Sequence, residues 1–195
     1  MSAPRHLFYI HGFNSSPQSF KAQLIAGYLR DHALGIDYSV PELSYGPMAA
    51  ISTLDQAVNE CVESGKEVGL IGSSMGGFYG TWVAEKYQLP LVLVNPAVRP
   101  YHLLKDYLGE NTNVYTGEVY QFTEQNVEEL KQLDIESIAH PERYLLLTQQ
   151  GDEVLDYRDG VEKYQQSRQI VLPGGSHGFD DFEPHLPEIL AFLFK

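Results

Sequence analysis

Residues 68–87 read VGLIGSSMGGFYGTWVAEKY, a short apolar strand pattern that passes directly into a helix pattern. The residues between the two patterns, GSSMG at 72–76, match the sequence G-x-S-x-G. A strand that turns abruptly into a helix holds the middle residue in a strained conformation, and the residues two positions away on either side must be small. Gly72 and Gly76 meet that requirement. The pattern therefore predicts a sharp strand-to-helix turn with Ser74 at its apex.

Strand and helix patterns alternate on both sides of this turn. The other predicted strands are Leu7–Ile10, Ile36–Val40, Leu91–Val94, Tyr144–Thr148 and Gln169–Leu172. Another helix is predicted to begin after the N-cap Ser16, with Pro17 at its first position and Phe20, Leu24 and Tyr28 on its apolar stripe. The remaining predicted helices are Met48–Ser64, Tyr157–Gln166 and Leu186–Phe194. Such alternation is typical of an α/β fold with a mostly parallel sheet of about six strands, flanked by helices and joined by right-handed crossovers.

The segment at about 97–141 interrupts this alternation. It contains no convincing buried strand, yet it is rich in aromatic and aliphatic residues. Long excursions of this kind are usually lids or binding loops, so we expect a short lid-like insertion over one end of the sheet. No repeat or linker divides the sequence, and residues 1–195 are expected to form one domain.

Composition restricts the partners of this chain. The 195 residues carry a formal net charge of −13, from 13 Lys and Arg against 26 Asp and Glu, which disfavours nucleic acids and anionic membranes. Cys61 is the single cysteine, so it forms no internal disulfide. The apolar run near the start is too short for a signal peptide or a membrane span, and we expect a cytoplasmic protein. The composition leaves the oligomeric state open.

Ser74 is the candidate nucleophile. Centring the motif on Ser73 instead would place Ile71 and Met75 at the flanking positions, where their side chains would crowd the turn. The alternative interpretation of the motif is structural: a Gly- and Ser-rich turn allows a helix to pack closely against a sheet, without any catalytic role. A serine hydroxyl needs a neutral imidazole within hydrogen-bond reach and a carboxylate that fixes the imidazole tautomer.

Candidates for both partners follow later strands. His177 lies in GGSHG at 174–178, after the last predicted strand, and is the candidate base. Asp152 follows the strand that ends at Thr148, at the sheet edge where open parallel sheets build their sites, and is the candidate orienting acid. Asp156 is the alternative acid, but it immediately precedes a predicted helix and is better suited as that helix's N-cap.

Backbone N–H groups are the candidate donors to a developing oxyanion. The Met75 N–H follows the nucleophile at a helix N-terminus, where partial positive charge accumulates. The Phe13 N–H follows the first strand, and Gly12 before it allows a close approach of the main chain to a substrate. His11 in the same segment is expected to be a buried structural residue.

Five segments of this sequence resemble the YqiA-type esterases. They are HGFNSSP at 11–17, GSSMGG at 72–77, NPAVRP at 95–100, GDEVLDY at 151–157 and GGSHGF at 174–179. The resemblance extends over nearly the whole chain and implies the compact α/β-hydrolase fold and hydrolysis of carboxylic esters or acyl thioesters without a metal or organic cofactor. It also implies that Ser74, Asp152 and His177 are the nucleophile, acid and base. Unlike in larger α/β-hydrolases, we expect no antiparallel strands before Leu7.

The expected substrate is a small-molecule acyl ester or thioester. Tyr101, Leu104 and Tyr107 are candidates for the acyl pocket, and the alternative is that they only pack the insertion onto the core. The leaving group, an alcohol or coenzyme A, stays open. Another possibility is a catalytically weak or inactive hydrolase scaffold that binds small molecules. A dinucleotide-dependent reductase is disfavoured, because its glycine-rich turn would follow the first strand and His177 would have no role.

Overall fold

The computed structural model describes residues 3–194, and a parallel sheet is at its centre. In chain order the strands are β1 (Arg5–Ile10), β2 (Ile36–Ser39), β3 (Glu67–Ser73), β4 (Leu91–Val94), β5 (Gly109–Thr112), β6 (Val119–Phe122), β7 (Tyr144–Gln149) and β8 (Arg168–Leu172). Within the described residues, six strands pair in the order β2-β1-β3-β4-β7-β8, and every neighbouring pair is parallel. The predicted six-stranded parallel sheet is confirmed.

The strand order reverses between β1 and β3. From β1 the chain passes to β2 on one side, and it then returns to β3 on the other side. Ile10 of β1 lies opposite Gly72 of β3, so the segments that follow these two strands emerge side by side. Open parallel sheets bind ligands at the carboxyl ends of strands where the order reverses. The residues after Ile10 and after Ser73 therefore lie at the edge of the sheet where a ligand site is expected.

Helices cover both faces of the sheet. They are α1 (Phe20–Asp31), α2 (Pro47–Glu63), α3 (Met75–Tyr87), α4 (Glu124–Gln132), α5 (Tyr157–Lys163) and α6 (Leu186–Leu193). Side chains alternate along a strand, so Phe8 and Ile10 pack on the side of α2 and α3, whereas Leu7 and Tyr9 pack on the side of α1 and α6. No helix within residues 3–194 is long and apolar enough to cross a membrane.

The start and the buried face of α1 differ from the prediction. The helix begins at Phe20, because Ser16 forms a turn: its side-chain oxygen accepts from the Gln18 N–H, and its carbonyl accepts from the Ser19 N–H. The predicted stripe is also wrong at Phe20, which is 73% exposed. The buried residues are Ala22, Ile25 and Leu29, since a buried face follows the 3.6-residue period more closely than a strict four-residue spacing.

The insertion at 97–141 contains more regular structure than the sequence predicted. In chain order it contains a 3₁₀ helix at Leu104–Tyr107, the antiparallel hairpin of β5 and β6, and α4. Tyr120 and Phe122 alternate with exposed residues along β6 and are buried in the core on the α2 side, which corrects the expectation of no buried strand. The hairpin contacts the segment after β1, because Asn113 donates to the Ser15 carbonyl and Tyr120 donates to Asn14.

Other element ends differ by a few residues from the prediction. Strand β2 ends at Ser39, and α5 ends at Lys163. Short 3₁₀ helices at Pro141–Arg143 and Glu183–His185 precede β7 and α6. These differences leave the order of the elements unchanged.

Candidate active site

Ser74 lies between β3 and α3 in a strained backbone conformation. Its φ is 54° and its ψ is −121°, and its N–H donates to the Val94 carbonyl at 3.1 Å. A Cβ at Gly72 would overlap the Gly76 carbonyl, and a Cβ at Gly76 would overlap the Ile10 carbonyl. The two glycines are therefore required for the turn, as the sequence predicted.

Ser73 is placed differently from Ser74. It is the last residue of β3, lies opposite Val94 in the sheet and is only 5% exposed. Ser74 borders two pockets, one of which Ser73 also borders, and the Ser74 side-chain oxygen lies within hydrogen-bond distance of His177. This geometry favours Ser74 over Ser73 as the reactive serine.

The three side chains that were predicted from the sequence as nucleophile, base and acid lie in contact in the structure. His177 Nε2 lies 3.0 Å from Ser74 Oγ, and His177 Nδ1 lies 2.9 Å from Asp152 Oδ2. A carboxylate only accepts hydrogen bonds, so Nδ1–H donates to Asp152 and Nε2 is left to accept from the Ser74 hydroxyl. This continuous chain of hydrogen bonds can remove a proton from a serine hydroxyl while the serine attacks an electrophile.

Asp152 is an almost completely buried carboxylate, with its side chain 2% exposed. Burial alone would raise the pKa of Asp152, but hydrogen bonds from His177 and from the N–H groups of Leu155 and Val154 outweigh it and lower the pKa. The carboxylate therefore stays ionised at neutral pH. Asp156 has the predicted capping position, since it is the N-cap of α5 and accepts from the Arg158 N–H.

Two buried amide side chains hold the loop that carries His177, and the sequence analysis missed both. Asn95 donates to the carbonyls of Ser176 and His177, at 2.9 and 3.2 Å. Gln149 accepts from the N–H groups of Ser176 and Asp180 and donates to the Asp180 carbonyl. The available signal was that both are polar residues at the carboxyl end of an apolar strand.

The candidate oxyanion donors lie beside Ser74. Phe13 and Met75 both line a pocket with Ser74, and within residues 3–194 neither backbone N–H donates to another protein group. Gly12 permits this approach, because a Cβ there would lie 3.3 Å from the Ser74 Cβ. The arrangement leaves two N–H groups free to bind an oxygen next to Ser74.

His11 anchors the segment that contains Phe13. Its Nδ1 donates to the Gly12 carbonyl at 3.0 Å, and its Nε2 accepts from the Leu43 N–H at 3.3 Å. Burial lowers the pKa of His11, and the bond to Gly12 opposes that shift only partly. The ring is therefore neutral and both of its nitrogens are used, which agrees with the structural role expected from the sequence.

An apolar pocket of about 220 Å³ opens beside Ser74. Besides Ser74 and His177, most of the lining residues are apolar, and they come from the segment after β1, from α3, from the insertion and from the loop that contains Asp152: Phe13, Asn14, Met75, Ala97, Pro100, Leu103, Leu104, Tyr107, Val154 and Leu155. We call it the apolar pocket. Leu104 and Tyr107 line this pocket, and their contact with a substrate stays a prediction.

Tyr101 is a correction to the predicted pocket. Its hydroxyl donates to Asp134 at 2.8 Å, and the residue borders a separate polar pocket that also contains Arg99 and Lys163. Tyr101 is not among the residues that line the apolar pocket beside Ser74. Within the described part of the chain, no cluster of three or more His, Cys, Asp or Glu residues is arranged to hold a metal ion.

Comparison with known proteins identifies a matching family and several structures with a similar fold. The uncharacterised protein family UPF0227 matches residues 6–194. Est1E from Butyrivibrio proteoclasticus is similar in structure, with a TM-score of 0.74 at 14% identity over 97% of this chain and 87% of that chain. Alpha/beta hydrolase domain-containing protein 10 from mouse has a TM-score of 0.67 at 17% identity, and the match covers 98% of this chain and 89% of the mouse chain. An esterase domain from a Rhodothermus marinus protein has a TM-score of 0.64 at 17% identity, and the match covers 92% of this chain and 80% of that domain's chain.

At such identities the structural likeness establishes the fold, whereas the family match extends over nearly the whole chain. The chain therefore has the α/β-hydrolase fold and belongs to the uncharacterised protein family UPF0227, the YqiA family.

Proposed function

We propose that this protein is a serine hydrolase that cleaves carboxylic esters or acyl thioesters through an acyl-enzyme. The observation that carries the proposal is the unbroken contact from Asp152 through His177 to Ser74, at 2.9 and 3.0 Å. The strained backbone at Ser74 and the two free N–H groups beside it support the same reaction class. Structural relatives that are described as esterases or lipolytic enzymes add to this support.

In the first half-reaction, Ser74 Oγ attacks the acyl carbonyl carbon while His177 Nε2 takes the hydroxyl proton. Asp152 keeps the imidazole aligned and stabilises the imidazolium that forms. The carbonyl π electrons move to the oxygen, which becomes an oxyanion and accepts from the N–H groups of Phe13 and Met75. The N-terminus of α3 adds a favourable partial charge at that position.

Collapse of this intermediate breaks the bond between the acyl carbon and the leaving oxygen or sulfur. His177 gives its proton to that atom, so an alcohol or thiol departs and Ser74 carries the acyl group. A water molecule then attacks the acyl-enzyme while His177 again takes a proton. The second collapse returns that proton to Ser74 Oγ and releases a carboxylic acid.

The apolar pocket suits the acyl chain of the substrate. It borders Ser74 directly, and its side walls come from residues such as Leu104, Tyr107 and Leu155. Each methylene group that leaves water for such a surface contributes about 0.8 kcal/mol. The preferred substrates are therefore esters or thioesters with an apolar acyl group that this pocket can hold.

Steady-state hydrolysis of p-nitrophenyl esters and acyl thioesters tests the proposal. We expect Ser74→Ala to lower kcat by about 10³-fold or more, whereas the matched variant Ser73→Ala keeps kcat within a few fold of wild type. Circular dichroism verifies that both variants are folded. Folded wild-type protein that hydrolyses no member of the panel, or a Ser74→Ala variant with wild-type kcat, would overturn the proposal.

A further inference from the structure

A second pocket meets the apolar pocket at Ser74 and His177. Its volume is about 330 Å³, and we call it the Lys21 pocket after the cationic side chain in its wall. Asn14, Ser15, Lys21 and Tyr115 also line it. A substrate bound at Ser74 therefore has two separate spaces available, one for each side of the bond that breaks.

Lys21 holds an unpaired positive charge in this wall. It lies in the first turn of α1 and is partly buried, and its ammonium donates to the Gly178 carbonyl at 2.6 Å. An ammonium has three N–H donors, and within residues 3–194 no carboxylate forms an ion pair with this one. Four other lysines of this acidic chain do pair with carboxylates: Lys66, Lys86, Lys131 and Lys163.

The ammonium of Lys21 is still charged at neutral pH. Burial lowers the pKa of Lys21 to about 8, and the nearby negative charge of Asp152 opposes that shift. A partly buried cation with no carboxylate in direct contact is costly, and an anion from a ligand would offset that cost. The pocket is thus prepared for a negatively charged group.

The position of Lys21 indicates which part of the substrate carries that charge. The leaving group receives its proton from His177 Nε2, so it must lie next to the imidazole. Lys21 is bonded to Gly178, the residue that follows His177, whereas the apolar pocket lacks a lysine or arginine side chain in its lining. The acyl chain fits the apolar pocket, and the leaving group fits the Lys21 pocket.

We propose that Lys21 binds an anionic group on the alcohol or thiol part of the substrate, so that esters with a negatively charged leaving group are the preferred substrate class. This inference rests on the hydrolase function proposed above. Phe20 and Tyr115 line the same pocket and are 73% and 52% exposed, so aromatic leaving groups are suitable probes.

The test compares two acetate esters of nearly the same shape, those of 3-hydroxybenzoate and 3-hydroxybenzamide. The first leaving group is anionic and the second is neutral. The quantity measured at pH 7 is the ratio of kcat/KM for the anionic ester to kcat/KM for the neutral ester. We expect Lys21→Met to lower this ratio by about tenfold or more and Lys21→Arg to retain most of it. Lys105→Met, which removes an exposed lysine outside the pocket, is the matched control and leaves the ratio unchanged.

Ser74-dependent hydrolysis in which Lys21→Met leaves this ratio unchanged would overturn the inference alone. If kcat/KM then falls equally for both esters, Lys21 acts only through Gly178 on the His177 loop. Wild type that hydrolyses members of the panel above but neither of these two esters would also overturn the inference alone. If folded wild type hydrolyses neither these esters nor any member of the panel, or if Ser74→Ala hydrolyses them at the wild-type rate, the proposed function fails and the inference fails with it.

Discussion

Asn95 holds the backbone of His177 in place: its side-chain amide donates to the carbonyls of Ser176 and His177, at 2.9 and 3.2 Å. The amide oxygen accepts from the Thr148 hydroxyl and the Gln149 N–H. Asn95 is 1% exposed and has a φ of 41°, a left-handed conformation that asparagine tolerates better than most residues. One buried side chain thus links the ends of β4 and β7 to the loop that follows β8.

We predict that Asn95→Asp lowers kcat by about tenfold or more with a smaller change in KM. The carboxylate replaces the NH₂ donor by an oxygen, so the carbonyls of Ser176 and His177 lose their partner, at a cost of about 1–3 kcal/mol. Steady-state kinetics measure the effect, and urea unfolding identifies any loss of stability. A folded variant with the wild-type kcat would show that His177 does not depend on this clamp.

The two acidic residues after β7 should respond differently to substitution. Asp152→Asn is expected to lower kcat by about 10³- to 10⁴-fold, because an amide that donates to Nδ1 selects the wrong imidazole tautomer. Asp156→Asn should keep nearly wild-type kcat, since asparagine caps a helix about as well as aspartate. The same ester assay on both variants checks the assignment. A larger loss of kcat in Asp156→Asn than in Asp152→Asn would contradict it.

Acyl-chain preference should depend on Tyr107 and be independent of the Tyr101 hydroxyl. For wild type we expect kcat/KM to rise about fourfold per added methylene while the apolar pocket has room. Tyr107→Ala enlarges the pocket and should reduce the increase of kcat/KM per methylene. Tyr101→Phe removes only the hydrogen bond to Asp134 and should leave that increase unchanged. A series of p-nitrophenyl esters from acetate to hexanoate measures the slope. Equal slopes in wild type and Tyr107→Ala would place the acyl chain elsewhere.

Stability should fall as the solution becomes mildly acidic, and His11 should cause part of that loss. Burial holds the pKa of His11 below its ordinary value in the folded protein. As the pH falls below about 6.5, the unfolded chain takes up a proton on this ring before the folded chain does, so the free energy of unfolding decreases. Burial also lowers the pKa of His6, which adds to the same trend.

Carboxylates with lowered pKa, such as Asp152, lose their stabilising effect only at lower pH, near and below about 4. Urea unfolding at pH 7, 6 and 5 therefore isolates the histidines. The free energy of unfolding of His11→Gln should depend less on pH over this interval than that of wild type. A steeper dependence in the variant would mean that the folded protein stabilises a charged His11 ring.

The sheet and the three side chains that meet at Ser74 could be predicted from the sequence because their signals are local. An apolar run followed at once by glycines and a helix pattern identifies the turn at Ser74, and the positions of Asp152 and His177 after strands follow from the geometry of parallel sheets. The predicted apolar stripe of α1 was wrong at Phe20, because which face of a helix is buried depends on its contacts with the sheet. A single sequence does not contain that information.

The insertion and the supporting residues were not predictable for a related reason. β6 is buried only because its hairpin packs over the segment after β1, through contacts such as the one between Tyr120 and Asn14. Asn95 lies 82 residues before His177, and Lys21 lies 157 residues before Gly178. These contacts form only when segments that are distant in the sequence meet in the folded chain. Tyr101 was predicted to line the pocket because the insertion is rich in aromatic residues. That richness does not tell which of the aromatic side chains reach the pocket.

Mass spectrometry of the folded protein after treatment with a fluorophosphonate tests the central claim most directly. This reagent phosphonylates a serine that an adjacent imidazole activates, with loss of fluoride. The account predicts one adduct per chain, located by peptide mapping on Ser74 and lost in Ser74→Ala and in folded His177→Ala. An adduct on another serine, or unmodified Ser74 in folded wild-type protein, would contradict it.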